Sequence, residues 1–212
     1  MENSGINYTN DEIKIFKRLN SPQKIQDYLN SLLVDFEEST DSYLSPRQIL
    51  KYKKANCMSG ALFAAAALEF HGHEPLVLDL RPEKKSKDDD HVIAVFKKFD
   101  CFGAISKTNH AVLRYREPVY KTIRELVMSF FHEYFLNNGR KTLREYSELF
   151  NLSKLKINWR TSEKNLFQIE KLLDKSKHHF VLSKNQIKNL RKAEKIEIKA
   201  GKLTEYPREA IS

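Results

Sequence analysis

The segment from Asn56 to Phe70 constrains the fold more than any other part of the chain. Asn56 is a good helix N-cap, and Cys57 follows it in the first turn. The run Met58-Ser59-Gly60-Ala61-Leu62-Phe63-Ala64-Ala65-Ala66-Ala67-Leu68-Glu69-Phe70 is then apolar nearly all round. Such a helix has no face to offer water, so it must be buried inside other layers. Its alanines allow neighbours to approach closely, and Gly72 is a natural C-terminal stop. Past it, Pro75 to Leu80 reads as a strand, Arg81 to Asp90 as a charged loop, His91 to Phe96 as a second strand and Cys101 to Ile105 as a third. Lys97 to Asp100 has the length and composition to close a hairpin between the last two. A buried helix followed by adjacent short strands predicts an α+β fold, with the helix packed on a small antiparallel sheet.

The flanks read as helical. Ser21-Pro22 and Ser45-Pro46-Arg47-Gln48 are helix starts, the second with the spacing of a capping box. A polar break, Ser39 to Ser42, lies between them. Val119, Ile123, Leu126, Val127, Phe130, Phe131 and Tyr134 predict one long amphipathic helix from about Pro118 to Leu136. From Lys141 the chain reads as helical and basic. The expected organisation is therefore a core with a helical lead-in over 1–140 and a basic helical extension over 141–212. Of the 212 residues, 41% are hydrophobic and 31% charged, values of a globular protein. No apolar run approaches the roughly 18 residues that span a bilayer, and Met1 to Gly5 shows no basic-then-apolar signal. Two cysteines do not make a disulfide framework. A reduced, cytoplasmic protein without a membrane partner is expected. The net charge is +9 and uneven: residues 1–50 hold five basic against eight acidic residues, −3, which leaves +12 on the rest.

Two residues carry the chemistry. A cysteine at a helix N-terminus faces unpaired backbone N–H groups, which favour its thiolate. This predicts a Cys57 thiol below its free value of about 8.5. A nucleophile also needs a base, and His91, at the start of a strand, follows after a helix, a strand and a loop long enough to fold back. The third requirement is a group that fixes the imidazole tautomer. Ser106 ends the next strand and Asn109 lies just beyond. Asn109 is preferred, because its amide oxygen can accept an imidazole N–H. The backbone N–H of Cys57, with Gln48 or Gln23, are candidate oxyanion donors.

The order of these residues resembles the transglutaminase-like superfamily of the papain-like fold. Asn56-Cys57-Met58-Ser59-Gly60-Ala61 looks like its nucleophile helix start, Gly72 like its following glycine, and Asp90-His91-Val92 like its histidine strand. Phe102-Gly103-Ala104-Ile105-Ser106 resembles the segment that holds the family's aspartate, with Ser106 standing at that position. The likeness spans about residues 46–110. It implies a thiol-dependent hydrolase or acyltransferase acting on an amide bond of a protein or peptide through Cys57 and His91, with no cofactor and no metal.

Other readings compete. His71, His73, Asp88, Asp89, Asp90 and His91 are residue types that bind zinc, iron or manganese, although a solvated acidic loop explains most of them. His110 is an alternative base. Arg114, Arg116 and Arg124 read as a structural Arg–Glu network rather than an anion site. The basic tail allows nucleic-acid binding, but Phe180 and Tyr206 are its only stacking platforms. The alternatives to an enzyme are thus a catalytically weakened binding module on the same scaffold, or a nucleic-acid-associated protein using the C-terminal helices.

Overall fold

A computed structural model of the protein describes residues 6–36, 43–86 and 88–206, so the expected polar break at Ser39 to Ser42 lies outside the described residues. In chain order the elements are α1 (Asn10–Arg18), α2 (Pro22–Asn30), β1 (Leu33–Val34), α3 (Pro46–Tyr52), β2 (Lys54–Ala55) and α4 (Cys57–Phe70). They continue with β3 (Leu76–Pro82), β4 (His91–Lys98), β5 (Cys101–Ile105), β6 (Arg116–Tyr120), α5 (Ile123–Phe131) and β7 (Leu143–Ser147). The last are β8 (Phe150–Asn151), α6 (Phe167–Asp174), β9 (His178–Phe180), α7 (Lys184–Lys188) and α8 (Lys195–Gly201). The fold is mixed α and β. Its main sheet runs β6-β5-β4-β3-β7-β9, with β8 also on β3, and every pairing in it is antiparallel.

The central strands β3, β4 and β5 are buried on both faces, and period-two alternation sorts their side chains. Val77, Val92, Ala94, Phe96 and Ile105 face one core with α4, α1 and α2. Leu78, Leu80, Ile93, Val95 and Ala104 face the other, under α5. Every residue from Met58 to Leu68 is buried, as an all-round apolar helix requires. Lys98 pairs with Cys101, and Phe99 and Asp100 between them have φ of 55° and 56°. Two consecutive left-handed residues make the turn whose twist matches a two-residue hairpin. Gly103 has no room for a side chain, since a Cβ there would lie 2.5 Å from the Phe96 ring and 2.8 Å from the Arg116 carbonyl.

Two expectations need correction. The span from Pro118 to Leu136 is not one helix: β6 takes Arg116–Tyr120 and α5 only Ile123–Phe131. Thr122 caps α5, with its side chain accepting from Glu125 N–H, and Pro118 is tolerated because β6 is an edge strand. Nor are residues 141–206 helical throughout. β7 inserts beside β3, and β9 pairs with β7. Trp159, Leu166, Ile169 and Leu173 are buried in the core that contains α4. Arg160 ties this segment to the end of α4 through two bonds to the Glu69 carboxylate, at 2.5 and 2.6 Å.

Candidate active site

Cys57 opens α4. The Asn56 side chain accepts from Ser59 N–H at 2.9 Å, which fixes the first turn. The half-buried Cys57 thiol contacts the Asp90 carbonyl at 4.0 Å, and backbone N–H groups of Val92 and Met58 reach it. The sulfur therefore lies against the backbone that flanks His91. Cys57 and His91 line one cleft of about 440 Å³. The loop before His91 is pinned from the far face, by the Tyr134 hydroxyl on the Asp89 carbonyl and the Thr142 hydroxyl on the Asp88 carboxylate.

His91 is buried, and its Nε2 lies 2.7 Å from Ser106 Oγ. The Ser106 hydroxyl donates to the Leu113 carbonyl at 2.7 Å. Its oxygen is thus left to accept, so Nε2 of His91 carries the proton and Nδ1 the lone pair. Ser106 is held in turn by Gln26 of α2. The Gln26 amide donates to the Ser106 carbonyl at 2.8 Å and accepts from its N–H at 2.9 Å. Next to it, Lys107 donates from Nζ to the carbonyls of Leu29 and Leu32, at 2.9 and 2.6 Å, and so caps the end of α2. Gly60 lets this segment lie on α4, because a Cβ at 60 would stand 2.5 Å from Lys107 Cβ.

Asn109 does not take the orienting position. Its amide donates to the Tyr206 carbonyl and accepts from Tyr206 N–H, both at 2.9 Å. Its place past the end of β5 turns it to the cleft rim. Gln48 is committed to the capping box of α3 and to the Glu163 carbonyl, and Gln23 is exposed, so neither is an oxyanion donor. His110 bonds to the Gly201 carbonyl through Nδ1 at 2.9 Å. Arg116 stacks on Phe130 and pairs with Glu133, and Arg114 pairs with Glu205, so both are structural. The residues proposed for a metal do not converge: His71 bonds to the Phe16 carbonyl. The acidic groups that do meet are Asp79, Asp90 and Asp174, and Arg81 sits among them as a counter-charge.

The electrostatics reverse one expectation. Burial pushes the Cys57 thiol up, outweighing the Val92 and Met58 N–H groups that favour its anion. Burial also pushes His91 down to about 4, helped by the nearby charges of His110 and Arg116. Burial thus favours the neutral form of each group, thiol at Cys57 and imidazole at His91. The lower folded pKa has a consequence for stability. Between about 6.5 and 4 the unfolded chain binds a proton at His91 that the folded chain refuses. That contribution is complete above 6.5 and falls away as the pH drops to 4, by about 3 kcal/mol. Asp90, pushed up to about 6 by burial and by Asp79, acts in the opposite sense within this window. Urea denaturation of wild type and His91→Asn at pH 7 and pH 4.5 isolates the histidine, and the gap between the two proteins should shift against wild type at the lower pH. A gap that does not change with pH would contradict a buried neutral His91.

Ser106→Ala removes the hydroxyl that contacts His91 Nε2 and donates to the Leu113 carbonyl. We expect a loss of about 2 kcal/mol in denaturant unfolding. Unchanged stability would mean that water replaces the hydroxyl.

Fold and cleft together define a mixed α/β protein with a cysteine and a histidine at the end of an antiparallel sheet. No family model matches the sequence, and no curated protein matches it. Among solved structures it is similar to Legionella pneumophila LapG (EGTA-treated), at 12% identity and a TM-score of 0.40, over 79% of this chain and 90% of that one. Among the described residues, no helix is long and apolar enough to cross a membrane.

Proposed function

We propose that the protein is a papain-like, transglutaminase-like thiol hydrolase that cleaves amide bonds in peptide substrates, with Cys57 as nucleophile and His91 as base. The observation that carries this reading is that Cys57 and His91 line one cleft while His91 Nε2 contacts Ser106. The His91 Nε2–H is held by Ser106, which leaves Nδ1 as the proton acceptor in the cleft that Cys57 lines.

The neutral resting state sets the order of events. As Sγ bonds to the substrate carbonyl carbon, its proton passes to Nδ1. The carbonyl oxygen becomes an oxyanion, for which the Cys57 backbone N–H at the start of α4 is the suitable donor. When the C–N bond breaks, the imidazolium returns the proton to the leaving amine. Water then attacks the thioester, gives a proton to Nδ1, and releases the carboxylic acid as the thiol reforms. Ser106 orients the ring, and Gln26 holds Ser106.

Incubation with a mixture of extended peptides, followed by mass spectrometry of new termini, tests this reading. Wild type should generate cleavage products and Cys57→Ala none. Equal products from both proteins would remove Cys57 from the reaction.

A further inference from the structure

The C-terminal segment crosses the rim of the cleft as an added strand. His110 and Thr204 form an antiparallel bridge. Ala111 N–H donates to the Leu203 carbonyl and Glu205 N–H to the Asn109 carbonyl, both at 2.9 Å. The Asn109 side chain then reads the backbone of Tyr206 at both its N–H and its carbonyl. Ile198 and Gly201, just upstream, line the same cleft as Cys57 and His91.

The His110 ring adds a bond to the Gly201 carbonyl at 2.9 Å, but the segment buries little apolar surface. α8 contains no buried residue, and Ile196 and Leu203 are 72% and 64% exposed. Its attachment is mostly main-chain, with one partly exposed ion pair, Arg114–Glu205. An element with few buried apolar contacts opens at a free energy well below that of global unfolding. The edge it covers recognises extended backbone whatever the side chains, which is the chemistry of strand addition.

We infer that Asn109–Ala111 is a binding edge for an extended peptide leading to Cys57, and that residues 203–206 are a displaceable internal occupant that restrains the site until a peptide replaces them. This deepens the hydrolase reading and rests on it for the identity of the peptide as substrate. The edge itself is an independent feature. It gives Asn109 a role as a substrate-binding residue.

Glu205→Pro in the full chain tests the inference, because proline removes the N–H that bonds Asn109 and breaks the added strand. The readout is alkylation of Cys57 by iodoacetamide at pH 8, with Cys101 as the internal control. Access is measured without turnover, so a failure here is distinct from a failure to cleave peptides. Glu205→Pro should label at Cys57 at least about tenfold faster than wild type, with Cys101 unchanged. A synthetic peptide with the sequence of residues 198–206 should slow that labelling again. It should not do so when Asn109→Ala is added. Wild-type labelling rates in Glu205→Pro, or no effect of the peptide on it, would overturn the inference. Hydrogen exchange of the unmodified protein supplies a test that needs no variant. The amides of Glu205 and Tyr206 should exchange far faster than those of β3 and β4, and equal protection would also overturn it.

Discussion

In the proposed mechanism, His91→Asn is expected to lower turnover of an ester or amide by about 10²–10⁴-fold, the usual contribution of a positioned general base. The size follows from the resting charges. Were the thiol already a thiolate, loss of the imidazole would cost mainly the return of the proton to the leaving group. Burial pushes the Cys57 thiol up instead, so attack itself requires a base at the moment the C–S bond forms. Asparagine is the variant of choice because its amide can still donate to Ser106 and fill the buried space. The measurement is kcat/KM on an activated ester, with circular dichroism to verify the fold. A variant within a factor of about three of wild type would place the proton acceptor elsewhere.

Trp159→Ala carries the largest expected loss of stability. The indole is fully buried, and its Nε1–H donates to the Leu152 carbonyl at 3.1 Å. Its truncation should cost about 3–5 kcal/mol. For a domain of this size that is a fall in Tm of about 6–20 °C. Trp159 lies in the part of the chain that the sequence alone assigns to an appendage. A small local effect is expected if that part folds separately, and a fall in the single cooperative transition if it completes the core. Thermal unfolding followed by far-UV circular dichroism distinguishes the two, and an unchanged Tm would contradict the shared core.

What could be read from the sequence is what is locally encoded. α4 announces itself through an apolar run with an N-cap before it and a glycine after it, and β3 to β5 through short β-rich runs separated by turns. Cys57, His91 and Ser106 fall at the boundaries of those elements, which makes their positions legible. β7 could not: Leu143-Arg144-Glu145-Tyr146-Ser147 is short and polar, and its place is set by pairing with β3, some sixty residues earlier. β6 was hidden because Val119, Ile123, Leu126 and Phe130 fit a helical period, although a capped helix starts only after Thr122. Gln26 gave no signal of its own. It is a polar residue on an amphipathic helix, and its bonds to Ser106 bridge eighty positions of sequence. The Cys57 thiol was misjudged for a related reason. The helix start that favours a thiolate is visible in the sequence, whereas the desolvation that opposes it depends on the assembled core.

In the proposed reaction Cys57 takes an acyl group and His91 enables its transfer to water. Time-resolved peptide mapping by mass spectrometry, after mixing with p-nitrophenyl acetate at pH 7.5, tests it most directly. Wild type should show an acetyl thioester on Cys57 that appears first and then decays, no such adduct on Cys101, and a marked slowing of its formation in His91→Asn. Acetylation confined to surface lysines, at the same rate in wild type and in His91→Asn, would contradict it.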